Sequence, residues 1–328
     1  MAPVALGIVG YGIMGERLLR AAVNHDQAVL RLAGVWDPSQ AALERLAAEF
    51  PDVPRLGSAA EVLAASDCLY VASPPLSHLD HAGAAFAAGR AVFCEKPLAV
   101  DVAAARALVA AARSTGGRAG VNFPFASSFA VEQLVRWIEE GVVGEPVSLT
   151  IEVGFAAWPR PWQVDAASWL DRPAQGGFTR EVISHFLFLA RRLLGPLELR
   201  EAEARFPGEG ASERSVRARL AAGGLEVRLT GGVGTTEKPD HNLWVLEGSA
   251  GAVRLRDWSF AERRAADGTW HEAPDAMPNE RARPLVLKRQ LDKVAAMTRG
   301  EPHRLASLEE ALEVQETVEA ILAARRDG

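Results

Sequence analysis

Short apolar runs recur through the first 121 residues, separated by stretches whose apolar positions return every three or four residues. The runs at 4–9, 30–36, 68–72, 91–94 and 118–121 read as strands, and the stretches near 15–23, 39–50, 59–65, 77–88 and 101–114 as helices. The strands are apolar on both faces, which a parallel sheet covered by helices requires and a one-sided sheet does not. The alanine-rich segments AALERLAAEF and DVAAARALVAAAR are strong helix formers and carry no repeat.

The pattern changes after Asn122. A helix near 130–141 precedes the β-branched segment GEPVSLTIEVGFAAW, and a second helix is expected over 178–194. Two alternating runs then flank Gly223-Gly224, the signature of a hairpin, with further strands near 242–248 and 253–257. Helices over 283–299 and 308–325 follow. A chain of 328 residues is about twice a typical domain, so two domains are expected, 1–121 and 122–328.

Composition narrows the function. A net charge of −6 argues against nucleic acid, whose phosphates need a basic footprint. The apolar start at 4–15 lacks a basic leader region, and no apolar run reaches membrane-spanning length, so a cytoplasmic protein is expected. Cys68 and Cys94 lie in apolar runs without metal-site spacing and read as buried thiols. His78 and His81 lack further ligands, so no metal is expected. His25, His241, His271 and His303 read as surface or loop residues.

The first strand runs into Gly10-Tyr11-Gly12-Ile13-Met14-Gly15 and then a helix. In that context the glycines point to a dinucleotide turn. Gly10 makes the bend, Gly12 admits the pyrophosphate, Gly15 packs helix on strand, and the amides near Ile13 and Met14 face the phosphates. Asp37 lies 22 residues past Gly15 at the end of the second run, placed to accept the adenosine ribose hydroxyls and to repel a 2′-phosphate. NAD is therefore favoured, with NADP as the alternative. The bland reading makes Asp37 a cap for the helix starting near Ser39. The fold expected is α/β: an N-terminal Rossmann doubly wound parallel sheet, then an α+β domain with an open, largely antiparallel sheet.

Glu95-Lys96-Pro97 ends the run AVFC, at the sheet edge where such folds place ligands. Together with the nucleotide turn, SPPLSH at 73–78 and GEP at 144–146, it resembles the glucose–fructose oxidoreductase, inositol dehydrogenase and rhizopine-catabolism family, from Val4 to about Ala324. The resemblance implies hydride transfer between nicotinamide and a hydroxyl or carbonyl of a sugar, cyclitol or related polyol, and a homodimer or homotetramer formed through the C-terminal sheet. It implies that Lys96 orients the reacting oxygen and helps move its proton, that Glu95 touches the nicotinamide ribose, that Pro97 follows a constrained peptide bond, and that Ser73, Pro74, Pro75 and His78 line the cofactor.

A second constellation follows Gly176-Gly177 in FTREVISH, where Glu181 stands at the family's aspartate position and His185 at its histidine. Spacing of i and i+4 puts both on one helix face, with Val182, Phe186, Leu189 and Leu193 on another. His185 is assigned to proton exchange and Glu181 to orienting it. A solvated polar face is the alternative. Phe188 and Ile183 depart from the family's carboxylate and glycine, and Arg180 adds a cation that can bind an acidic substrate or pair with Glu181. Asn122, Trp162 and Arg180 join Lys96 and His185 as candidate substrate contacts. Trp158, Trp162 and Trp169 can wall a sugar pocket or pack along a sheet edge. Two other functions compete with the dehydrogenase: NAD-dependent glycoside hydrolysis, and a non-catalytic nucleotide sensor.

Overall fold

The computed structural model describes residues 2–327. Among these residues the strands form two sheets, and the chain divides into two compact units, 1–126 with Pro284–Leu312 and Ser127–Arg283 with 313–328.

In the first unit β1 (Val4–Val9), β2 (Leu30–Trp36), β3 (Cys68–Val71), β4 (Ala91–Cys94) and β5 (Ala119–Val121) lie in the order β2-β1-β3-β4-β5, every pair parallel. The crossovers carry α1 (Ile13–Val23), α2 (Gln40–Glu49), α3 (Ala59–Ala65), α4 (His78–Ala87) and α5 (Val102–Thr115). All of β1, β3 and β4 is buried, as their unbroken apolar runs require. The strand order reverses between β1 and β3, and the crevice beyond the carboxyl ends at such a reversal is where doubly wound sheets hold ligands.

Where the sequence suggests one cut after residue 121, the contacts add Pro284–Leu312 to the first unit. Leu287, Leu291, Val294, Ala295 and Met297 share a single core with Val4, Leu6, Ile8 and Leu18. That pairing is tertiary, and helical periodicity alone carries no record of it. His25 departs from the surface expectation: it is buried and faces Asp292 of the same unit.

In the second unit α6 (Phe129–Glu139) leads into β6 (Pro146–Phe155), α7 (Ala167–Leu170) and α8 (Ser184–Leu194). The remaining strands are β7 (Leu197–Phe206), β8 (Ser215–Ala222), β9 (Leu225–Val233), β10 (Asp240–Gly248), β11 (Ala252–Arg256), β12 (Phe260–Arg264), β13 (Trp270–Glu272) and β14 (Arg325–Asp327). Their order is β13-β12-β11-β10-β6-β9-β8-β7-β14. The hairpin at Gly223-Gly224 forms as expected, joining β8 to β9. The sheet is mixed, however: β6 pairs with β9 and β14 with β7 in parallel, because these strands meet across long connections rather than short turns. Helices α9 (Asn279–Arg299) and α10 (Leu308–Ala323) lie between β13 and β14 in the chain. Among the described residues no helix is long and apolar enough to cross a membrane.

Cys68 and Cys94 are free, fully buried thiols in β3 and β4. Loss of hydration pushes the Cys68 thiol up to about 12 and Cys94 upward as well. Since the thiolate is the reactive form, the native protein is expected to leave an aromatic disulfide reagent unconsumed, and to titrate both thiols once denatured. Rapid native reaction of either cysteine would contradict the burial.

Candidate functional site

The turn after β1 is built by close approach. Gly10 takes a φ of 98°, and a Cβ there would stand 2.6 Å from the backbone of Ala72 and Ser73, so the turn after β1 lies directly on the turn after β3. A Cβ at Gly15 would overlap the Gly10 carbonyl, which explains why helix and strand demand glycine at both ends of the turn. A Cβ at Gly12 would meet nothing within 4 Å, and α1 begins at Ile13 with no side chain capping its first amides. Open space facing uncapped amides at a helix N-terminus suits a pyrophosphate.

Asp37 completes this arrangement. Its Oδ2 accepts from the Tyr11 amide at 2.7 Å and its Oδ1 from the Ser39 amide at 2.7 Å. The helix cap is Ser39, whose hydroxyl accepts from the Ala42 amide, so capping is not what Asp37 does. Each carboxylate oxygen keeps acceptor capacity for a ribose hydroxyl. Arg45, which sequence inspection overlooks, donates to the Tyr11 carbonyl at 3.2 Å and lies over the Tyr11 ring. Only the fold of α2 back onto the turn reveals it.

Beyond β4, Glu95 is buried and its Oε1 accepts from the Tyr70 hydroxyl and from Asn122 Nδ2, the latter at 2.6 Å. Asn122 Oδ1 in turn accepts from Gln290 Nε2 at 2.7 Å. The Asn122 amide is thus engaged at both ends and buried, which places it inside a supporting network rather than at an open substrate face. Burial and the Glu95 carboxylate hold the Tyr70 phenol well above its ordinary range, so it stays a donor. Tyr70 and Gln290 carry no motif and are legible only in three dimensions. Lys96 follows, half-buried, and its bond to Pro97 is cis.

His78 joins two of these turns. Its Nδ1 lies 2.8 Å from the Pro97 carbonyl oxygen and its Nε2 2.8 Å from the Ser73 carbonyl oxygen. A histidine at the start of α4 thereby ties the loop after β3 to the Lys96-Pro97 turn. Pro74 is exposed and Pro75 buried in the short helical turn between Ser73 and His78.

In the second unit the expected single helix over 178–194 is two pieces, a π-helical turn at Thr179–Ile183 and then α8. A π turn closes i→i+5, so the α-helical i, i+4 relation between Glu181 and His185 does not carry over unchanged. The turn is tightly packed around Gly176-Gly177. Glu213 is fully buried, its Oε1 accepts from the Thr179 amide at 2.7 Å, and a Cβ at Gly177 would overlap its carboxylate. Arg180 is locked as well, with Nε and Nη2 on Glu319 at 2.7 Å and Nη1 on the Pro173 and Gly176 carbonyls. The expected substrate contact and the expected Glu181 pairing both give way to a bidentate clamp on Glu319.

His185 is 8% exposed, and Val182 through Ala190 are buried, so the helix is covered nearly all round and the solvated polar face is not what forms. Glu181 is half-buried and acts electrostatically on the buried Arg160. The imidazole of His185 meets the Trp258 ring edge-on at 5.5 Å between centroids. Trp258 and Asp257 have φ of 72° and 46°, the two non-glycine residues of positive φ among those described. That conformation costs about 1–2 kcal/mol per residue.

Arg160 pairs with Asp240 at 2.7 Å, bonds Gln163 and lies over the ring of Trp162, which is 41% exposed, and of buried Trp158. Trp158 packs on Phe155 and Phe178, so it is a core residue, whereas Trp162 lies toward the surface. Trp169 is half-buried. Among the described residues no group of three or more His, Cys, Asp and Glu stands together as metal ligands.

Burial holds Glu213 above the ordinary glutamate range, despite the opposing bond from Thr179. A carboxyl raised on folding favours the native state below its unfolded pKa, and that contribution is lost as pH climbs through the folded value. Glu213→Gln keeps the acceptor for Thr179 and removes the titration. The variant should match the parent near pH 4 and melt higher at pH 8, by roughly 2–4 °C per kcal/mol recovered. A lower melting temperature at pH 8 would show that the charged form is the one the site requires.

Residues 4–123 match the model of an oxidoreductase family with an NAD-binding Rossmann fold. The chain is 29% identical over 194 residues to an inositol 2-dehydrogenase of Rhizobium meliloti, covering 58% of this chain and 55% of that protein. It is 36% identical over 154 residues to the inositol 2-dehydrogenase of Pseudomonas fluorescens, covering 44% of each. These matched stretches span about half the length of the relatives. Among solved structures, an oxidoreductase from Thermotoga maritima superposes with a TM-score of 0.83 at 20% identity, over 98% of this chain and 96% of that one. The WlbA dehydrogenase from Bordetella pertussis, solved with NADH and UDP-GlcNAcA, gives 0.80 at 23% identity, again over 98% and 96%. At these identities the structures speak for the fold. With the glycine turn, Asp37 and the Glu95-Lys96-Pro97 edge in place, residues 4–123 match this oxidoreductase family and its NAD-binding Rossmann fold.

Proposed function

We propose that the protein is a nicotinamide-dependent dehydrogenase or reductase that moves a hydride between the cofactor and a hydroxyl or carbonyl of a sugar, cyclitol or related polyol. The observation that carries this reading is the arrangement at one sheet edge. The Gly10–Gly15 turn with Asp37 follows β1 and β2, and Glu95-Lys96 follows β4, all at carboxyl ends of parallel strands. The bound dinucleotide supplies the hydride chemistry. The chain's part is to hold it, with Gly12, Ile13 and Met14 toward the pyrophosphate, Asp37 toward the adenosine ribose, Ser73, Pro74, Pro75 and His78 along the loop after β3, and Glu95 toward the nicotinamide ribose.

Oxidising a hydroxyl also requires its proton to leave, which is work for positioned acid–base groups. Lys96 is assigned to orient the reacting oxygen by charge and help move its proton, and His185 to exchange that proton, with Glu181 orienting it. Trp162, exposed and with Arg160 over its ring, is the assigned substrate contact, and Asn122 supports the site through Glu95. The relatives named for inositol 2-dehydrogenation favour a polyol. A cytoplasmic location, and a homodimer or homotetramer built on the open nine-stranded sheet, belong to the same proposal.

A panel of sugars, cyclitols and their keto forms, followed by nicotinamide absorbance, tests it. Reduced cofactor accumulating with a polyol supports the dehydrogenase. Net cleavage of a glycoside with no accumulated NADH would favour the hydrolase, and tight cofactor binding without turnover across the panel would favour the sensor.

The cofactor preference is tested at Asp37. Hydrogen bonds to charged groups contribute roughly 1.5–3 kcal/mol each, so NAD should bind at least tenfold more tightly than NADP. Asp37→Ser should weaken NAD and relieve the rejection of NADP without a new arginine, since Arg45 already stands beside the turn. Equal affinity of the parent for both cofactors would remove Asp37 as the selector.

A further inference from the structure

The turn joining β11 to β12 is made in an unfavourable way. The Ser259 amide donates to the Arg256 carbonyl at 3.3 Å, and both central residues, Asp257 and Trp258, are left-handed. This geometry ordinarily selects Asn-Gly or Asp-Gly, because a bulky side chain crowds its own backbone there. Here the second position carries the largest side chain available.

Strand β10 holds the turn in that state. The Asp257 amide donates to the Asn242 carbonyl at 3.0 Å, and the Trp258 amide to Asn242 Oδ1 at 3.0 Å. The Asn242 amide donates to Asp257 Oδ1 at 3.3 Å, and His241 Nδ1 lies 2.6 Å from that same oxygen. A conformation maintained by this many bonds is specified, and such strain concentrates where a side chain must be aimed.

The indole is aimed at the start of α8. It meets Phe186 at 5.2 Å and the His185 imidazole edge-on at 5.5 Å, with an interplanar angle of 80°. The ring torsion of histidine is broad and does not by itself fix the imidazole plane. A neighbouring wall restrains it from one side. We propose that Trp258 is a positioning residue, whose strained turn presents the indole as the wall that sets the plane of the His185 ring for proton exchange. The inference rests on the assignment of His185 made above.

The test uses the full chain, the cofactor and a substrate from the panel, with kcat, KM and melting temperature read for each variant. Trp258→Leu should lower kcat about 10- to 100-fold, since misplacement of a reacting group by about 1 Å costs up to that much. KM for the cofactor and the melting temperature should stay near the parent's. Trp258→Phe, which restores an aromatic wall, should recover most of the rate. Trp258→Met serves if the leucine variant does not fold, because it keeps the bulk and lacks a ring face. In a His185→Ala background Trp258→Leu should have no further effect, the mark of two residues acting through one group. Parent-like kcat in Trp258→Leu, alongside a strong loss in His185→Ala, overturns the positioning role alone. Parent-like kcat in His185→Ala overturns the assignment beneath it, and the two failures are told apart by that single variant.

Discussion

Replacing Lys96 by methionine is expected to cut turnover by about 10³-fold or more while leaving cofactor affinity within a few-fold of the parent. Methionine keeps the length and the apolar stem, so packing around the Lys96-Pro97 turn is retained and only the ammonium is lost. An ammonium beside the reacting oxygen stabilises developing negative charge, and a positioned donor helps move the proton. Each effect alone is worth about 10²–10³-fold or more. The dinucleotide contacts assigned to the Gly10–Gly15 turn and Asp37 lie on other loops, so binding should not follow the rate. Titration of the variant with NAD, and turnover at saturating cofactor, separate the two. A verified substrate turned over at the parental rate would take Lys96 out of the chemistry.

The second large effect is expected at His185. Removing the imidazole should lower kcat by about 10²–10⁴-fold if that ring exchanges the substrate proton. Glu181→Gln should cost less, since a half-buried carboxylate that orients or biases the ring leaves the exchanging group in place. His185 is buried, so alanine also opens a small cavity next to Trp258. The melting temperature must therefore be read beside the rate. His185→Gln, closer in volume, distinguishes lost chemistry from lost packing: if glutamine restores stability but not turnover, the ring is needed for the proton. Both variants matching the parent across pH would leave His185 as a core residue of α8.

What the sequence makes legible follows from how local each cause is. The Gly10–Gly15 turn and the buried strands β1, β3 and β4 are written in neighbouring residues, since periodicity and glycine placement act within a few positions. Asp37 and the Glu95-Lys96 edge inherit their places from those strands. Arg180 shows the limit. Its proximity to Glu181 in sequence suggests a pair or a substrate cation, whereas Glu319, far along the chain, takes its guanidinium. At the π turn over Thr179–Ile183, the Thr179 amide donates to Glu213, and Gly177 leaves room for that carboxylate from 36 residues away. The parallel pairing of β6 with β9 is invisible to hairpin logic, which reports only adjacent antiparallel partners. Trp258 is hidden more deeply, because Asp-Trp is the wrong signature for the turn it makes.

The first unit takes Pro284–Leu312 into its core, and this has a consequence for the order in which the protein can mature. A ribosome delivers the glycine turn, Asp37 and Lys96 about 190 residues or more before Leu287, Leu291 and Val294. Until then Val4, Leu6, Ile8 and Leu18 lack partners that the finished core gives them. The nascent dinucleotide half must wait, partly uncovered, while the whole intervening unit is made, an interval in which exposed apolar surface invites chaperones or aggregation. A nonsense codon after residue 283 would therefore be felt first far upstream of the stop, in the cover over β1.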